Sequence, residues 1–300
     1  MKLGIIYAGQ GSQVVGMGKS FYPHEIFDQN EDLKELCFNG PLEKLSYTPY
    51  TQPCMVMVAT IITDLLKEHG IVPDYTAGLS LGEYSALYCA GVFKRQQVID
   101  LARFRGKVMQ EAVSEIESEM IAVLGMKEEL LQDLCHQASS LGVVSISNYN
   151  CPGQLVVAGE KKAVEKVKEL ALENKARRVI SLNTSGPFHT SLLKEASLAL
   201  KERFKKETFH EMKIPVIFNT LGHEIEDQSI PEILEKQVMS PVYFEKSIRY
   251  MIDQGVDTII EVGPGKVLSG FVRKIDRSIQ LYQIEDMESL KKTVKALKGE

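Results

Sequence analysis

Between Thr76 and Leu87 the chain reads TAGLSLGEYSAL, in which Gly78 and Gly82 bracket Ser80 as G-x-S-x-G. An extended segment precedes the pentapeptide and a helix-forming one follows it. A strand-to-helix corner this tight strains the serine backbone and leaves no room for flanking side chains. It pushes Oγ outward and leaves N–H groups of the following helix unused, that of Leu81 among them, where positive dipole density favours an oxyanion. The same residues also fit a serine that merely caps a helix, with glycines serving only the turn.

The surrounding pattern alternates strand and helix. MKLGIIYAG reads as a strand running into a glycine-rich loop, 51–69 as a helix, DYTAGL as a strand, 82–89 as the next helix, and RQQVIDLARFRGKVMQEAV as a long amphipathic one. This order predicts an α/β domain with a mainly parallel sheet. From Met120 the texture changes: EMIAVLGM, KEELLQDLCHQASS, VVSISNYN, QLVVAGE, KKAVEKVKELALENK and ARRVISLN spell β-α-β-β-α-β. Both flanks are α/β, so 116–184 is expected as an insertion into a larger domain formed by 1–115 and 185–300. Beyond it, a helix to about Lys206, a strand IPVIFNT, helices around 230–239 and 243–254, and a strand TIIEVG are expected.

Three hundred residues, 44% apolar and 25% charged, suffice for a large core, and the net charge of −5 offers nucleic acid no basic footprint. The apolar run at the N-terminus, Leu3 to Tyr7, is too short for a signal-peptide core or a membrane span, so a cytoplasmic chain with no membrane partner is expected. Cys37, Cys54, Cys89, Cys135 and Cys151 are widely spaced with no C-x-x-C pair, which points to reduced, mostly buried thiols and no zinc site.

A serine hydroxyl needs a base of pKa near 7, usually histidine. His24, His69, His136, His210 and His223 lie among polar neighbours and read as solvated side chains. His189, in SGPFHT, stands on a Gly-Pro loop between regular elements, either as a perched base or as a loop residue of no consequence. Arg105 by itself reads as a solvated helix residue. GQGSQ lacks the third glycine of a dinucleotide fingerprint, since position 14 is valine, and VGPGK lacks phosphate-loop spacing and reads as a strand-to-helix turn.

Together GQGSQ, GLSLGEYSAL, RGKVMQEAV, NCPGQLVVAG, SGPFHTSLL, QVMSPVYF and EVGPGKVLSG resemble, in order and over nearly the whole chain, the malonyl-CoA:acyl carrier protein transacylases of fatty-acid and polyketide synthesis. The resemblance implies an α/β-hydrolase-like larger subdomain with an inserted ferredoxin-like smaller one. It implies Ser80 as the acylated nucleophile and His189 as its base, with Arg105 holding the substrate's free carboxylate. Gln10 and Leu81 would supply oxyanion-hole N–H groups, and the main-chain carbonyl of Gln237 would orient the histidine. Phe188 would wall the acyl pocket in a way that goes with malonyl. No metal or tightly bound cofactor is implied; the partners implied are malonyl-CoA and a phosphopantetheinylated acyl carrier protein, and the chain is expected to be a monomer. Two residues depart from the pattern: Leu79 stands where the family usually has histidine, and Ala8 where it usually has proline, which bears on pocket polarity and acyl preference. An acyl hydrolase on the same scaffold and a silent module that docks a carrier protein are the alternatives.

Overall fold

The computed structural model describes residues 1–299. It contains nine strands in chain order: β1 (Leu3–Tyr7), β2 (Tyr75–Gly78), β3 (Ser118–Leu124), β4 (Val144–Cys151), β5 (Gln154–Glu160), β6 (Arg178–Ser181), β7 (Val216–Ile217), β8 (Thr258–Val262) and β9 (Gln280–Ile284). The chain forms two compact units, one of Met1–Lys107, Thr208–Phe218 and Arg249–Glu300, the other of Val108–Glu207 and Asn219–Ile248.

In the first unit the strands pair in parallel in the order β7-β2-β1-β8-β9. β1 and β8 lie inside the sheet and are buried along their whole length, β1 as an apolar run and β8 with the carboxylate of Glu261 among its apolar residues. The Thr48–Glu68 helix has no polar face to speak of: residues 51–63 are all buried. The chain runs from β1 to β2 and β7 on one side and from β8 to β9 on the other, so the carboxyl ends of β1 and β8 border a topological switch point, the place where open α/β sheets hold ligands.

The strand expected over IPVIFNT shrinks to Val216–Ile217. It is an edge strand that begins after Pro215, which has no N–H to give, and the Asn219 carbonyl accepts from Tyr243 N instead of extending the sheet. The VGPGK turn does lead from β8 into a helix, Val267–Ile275. A buried carboxylate that the sequence reading passed over closes that corner: Glu261 on β8 accepts from Leu268 N at 3.0 Å and Ser269 N at 2.8 Å, satisfying the helix's first donors.

The second unit carries an antiparallel sheet in the order β4-β5-β3-β6, with the helices Glu128–Ala138 and Lys161–Glu173 connecting β3 to β4 and β5 to β6. Ile121, Val123 and Val157 pack with Leu131, Leu134, Val164 and Val167 into one core. This unit takes in more chain than 116–184. Residues 240–243 join it through the backbone, where Tyr149 N donates to Val242 O at 2.8 Å and Val242 N to Ser147 O at 2.9 Å, and through the stacked rings of Tyr149 and Tyr243.

Among the described residues no helix is long and apolar enough to cross a membrane, and no His, Cys, Asp or Glu cluster is disposed to hold a metal ion. Among the described residues no cysteine forms a disulfide; Cys89 is half-buried and the other four are buried. His24 corrects the sequence reading: it is no solvated bystander, because its Nδ1 accepts from Ile26 N and caps the Glu25–Gln29 helix. Burial, followed by the nearby Arg95 charge, pushes its pKa below the ordinary value.

Candidate active site

The corner at Ser80 is as tight as its glycines require. A Cβ on Gly78 would lie 1.9 Å from the Gly82 carbonyl carbon, and one on Gly82 would lie 2.1 Å from Tyr7 O, so neither position admits any other residue without moving backbone. Ser80 itself sits at φ 54°, in the left-handed region, before the helix Gly82–Cys89 begins. Leu79 N donates to Tyr7 O at 3.1 Å and Gly82 N to Leu79 O at 3.0 Å, which pins the turn to the end of β1. Leu79 therefore contributes backbone to the corner whatever its side chain.

The loop after β1 closes on the same corner. A Cβ on Gly9 would sit 2.4 Å from Leu79 O, which is why GQGSQ has glycine there and why Gln10 follows beside the serine turn. Ala8 is nearly buried, with its Cβ facing Gly263, where φ is 127°. Among the described residues no protein group accepts the N–H of Gln10 or of Leu81. Both donors are thus available to an incoming oxygen.

Arg105 is wholly buried, contrary to its reading as a solvated helix residue. Its helix, Arg95–Val113, approaches the first turn of the Thr48–Glu68 helix closely, since a Cβ on Gly106 would fall 2.8 Å from Thr48 O. Arg105 Nη1 donates to Gln52 Oε1 at 2.9 Å and Nη2 donates to Ser80 Oγ at 3.2 Å, while the guanidinium lies 5.4 Å from the Tyr84 ring centroid. Burial pushes the guanidinium pKa down; Tyr84 and then Glu83 oppose it. Burial likewise drives the Tyr84 hydroxyl far above its ordinary value. Thr48 accepts from Gln10 Nε2 at 2.9 Å, so one helical turn positions both Gln10 and Arg105.

The second unit holds the histidine. His189 is 3% exposed and has φ 64°. Its N–H donates to Val238 O at 3.0 Å, and its Nδ1 lies 2.9 Å from Gln237 O and 3.1 Å from Ser240 O. Two carbonyls can only accept, so Nδ1 carries the proton and Nε2 is left with a lone pair, the tautomer that a general base needs. The carbonyls are held in turn: Gln237 ends the helix Ile230–Gln237, which starts in a Ser229/Glu232 capping box and is tied to its neighbour by Ser197 Oγ donating to Glu235 O at 2.7 Å. Phe188 is buried beside the histidine, and Gly186 packs where a Cβ would meet Val113 at 2.6 Å.

The first unit thus brings together Ser80, Leu81, Gln10 and Arg105, and the second brings together Phe188, His189 and Gln237. Sequence reasoning missed Gln52, Tyr84, Thr48 and Ser240. Gln52 had a readable signal, a lone amide just before the Pro53-Cys54-Met55 run of a buried helix; Ser240 had none.

The model of the acyl transferase domain family matches residues 5–295. The malonyl CoA-acyl carrier protein transacylase of Bacillus subtilis (strain 168) is 40% identical over 311 residues, covering 100% of this chain and 98% of its own. A crystal structure of the malonyl CoA-acyl carrier protein transacylase from Clostridium perfringens superposes with a TM-score of 0.95 at 41% identity, over 100% of this chain and 98% of the other. A malonyl-transacylase in complex with a type II PKS acyl-carrier protein gives 0.94 at 34% identity, over 100% of both chains. With a family match that takes in both units and relatives alike over their full length, the chain belongs to the acyl transferase domain family and is an acyltransferase.

Proposed function

We propose that this chain moves a malonyl group from malonyl-CoA to the phosphopantetheine thiol of an acyl carrier protein through a malonyl ester on Ser80. The observation that carries the reading is the buried guanidinium of Arg105 bonded to Ser80 Oγ, which puts a carboxylate-pairing cation beside the strained hydroxyl. The names of the relatives support the same substrates.

His189 Nε2 takes the proton from Ser80, and Oγ attacks the thioester carbon. The N–H groups of Gln10 and Leu81 stabilise the tetrahedral oxyanion, which collapses as CoA leaves with the proton from His189. The carrier's thiol then gives its proton to His189, attacks the ester carbon, and Ser80 recovers its proton as the malonyl thioester forms. Arg105, with Gln52 fixing one of its nitrogens, pairs the free carboxylate throughout. An acetyl group would forgo that carboxylate pairing, at a cost of about 2–5 kcal/mol. We also propose that the chain acts as a monomer.

The test is mass spectrometry of protein mixed with malonyl-CoA. One malonyl adduct is expected, absent from Ser80→Ala, and a Ser80→Ala/His189→Ala double variant should be no slower in transfer than Ser80→Ala alone, as for groups that act as one unit. Labelling that survives Ser80→Ala rejects the nucleophile. Release of free malonate faster than loading of the carrier makes the chain a hydrolase instead.

A further inference from the structure

The first unit holds a cavity of about 370 Å³ with no lining residue from the Ser80 corner. This volume is within the range of about 300–1,000 Å³ typical of small-molecule sites. Ile5, Thr63, Pro73, Ala90 and Phe93 form buried walls, and Ile71 and Ile214 extend them. Exposed residues, Lys67, Val72 and Lys213, mark the mouth.

The charge at this mouth is uneven. Asp64 is the one carboxylate in the lining, and it is engaged: Arg95 Nε donates to it at 3.0 Å, Arg95 Nη2 forms its ion pair, and Tyr88 OH donates at 2.7 Å. Among the described residues neither Lys67 nor Lys213 has a carboxylate partner. Lys213 is fixed at its backbone, where its N–H donates to Ala90 O at 2.8 Å, and its stem lies over Gly91. A mostly apolar chamber closed by two unneutralised ammonium groups selects an amphiphile with an apolar tail and a negative head.

We infer that this cavity is a second ligand site, which binds an aliphatic monocarboxylate with its chain against Ile71, Phe93 and Ile214 and its carboxylate between Lys67 and Lys213. The site needs neither Ser80 nor Arg105. Cys89, the one half-buried cysteine, lines it and reports on its occupancy. Burial pushes that thiol up to about 11, so its alkylation is slow enough to follow by mass spectrometry.

Calorimetry of the full chain with decanoate should show saturable binding that Lys67→Gln/Lys213→Gln weakens at least tenfold and Val72→Trp, which plugs the mouth, abolishes. Decanoate should also slow N-ethylmaleimide modification of Cys89 at least fivefold, and decanol less than twofold. Four results overturn the inference: no saturable decanoate binding; binding that either variant leaves intact; equal protection by decanol; or faster labelling of Cys37, Cys54, Cys135 and Cys151, which marks denaturation. Val72→Trp separates this site from capture of decanoate by Arg105, which that variant does not touch.

Discussion

Ser80 and His189 are both held at positive φ, 54° and 64°, yet the two units impose that conformation by different means. At Ser80 it is exclusion: backbone from β1 and the following helix fills the space where any side chain on Gly78 or Gly82 would go. At His189 it is attraction: three carbonyls, of Gln237, Val238 and Ser240, accept from one residue. A corner made by exclusion is written into adjacent residues, whereas one made by hydrogen bonds depends on chain some fifty positions away. The first tolerates no substitution at its flanks; the second tolerates flank changes but depends on its own donors.

The largest effect should come from the flanks. Gly82→Ala drives a Cβ into Tyr7 O and should cost well over the ~1–3 kcal/mol of ordinary overpacking, giving insoluble protein or no cooperative melt. Gly186→Ala, beside the histidine loop, meets only side chains, those of Val113 and Phe188, and should lower stability by about 1 kcal/mol in a denaturant titration. Comparable losses in the two would break the distinction.

Next comes His189→Ala, which should leave circular dichroism unchanged and reduce malonyl transfer by roughly 10²–10⁴-fold in steady-state assays. Gln52→Ala removes one bond from the Arg105 guanidinium and should raise KM for malonyl-CoA by about tenfold while leaving the weak acetyl-CoA reaction as it was. The smallest effect sharpens the comparison most. Ser80→Gly relieves the strained φ and should raise unfolding free energy by about 1 kcal/mol. His189→Gly relieves a similar φ but strips two buried carbonyls of their donor, so it should show no gain.

The same contrast explains what could be read from the sequence. The G-x-S-x-G corner, the parallel alternation and the βαββαβ pattern are local in sequence, and 82–89 appears as the helix Gly82–Cys89. Arg105 could not be placed from its neighbours: only the close approach at Gly106 to Thr48 buries it, and nothing near position 105 announces that contact. Tyr84 was hidden for the same reason, whereas Gln52 stood out as a lone amide in a buried helix. The reach of the second unit to 219–248 follows from backbone bonds of Val242 to β4, a pairing of one short segment that no periodicity encodes. The edge strand β7 was overread because its apolar residues continue past the point where its hydrogen bonds stop.

The partners of His189 Nδ1 have a consequence for reversibility. Neutral carbonyls orient the ring but, unlike a carboxylate, contribute no full negative charge when the ring becomes cationic. In the proposed mechanism the ring is therefore aligned with no fixed charge behind it, and it hands its proton to whichever sulfur departs. In the proposed exchange substrate and product are both malonyl thioesters of nearly equal free energy, and one ring held in the same way for both strokes suits a transfer that must run as easily in one direction as in the other.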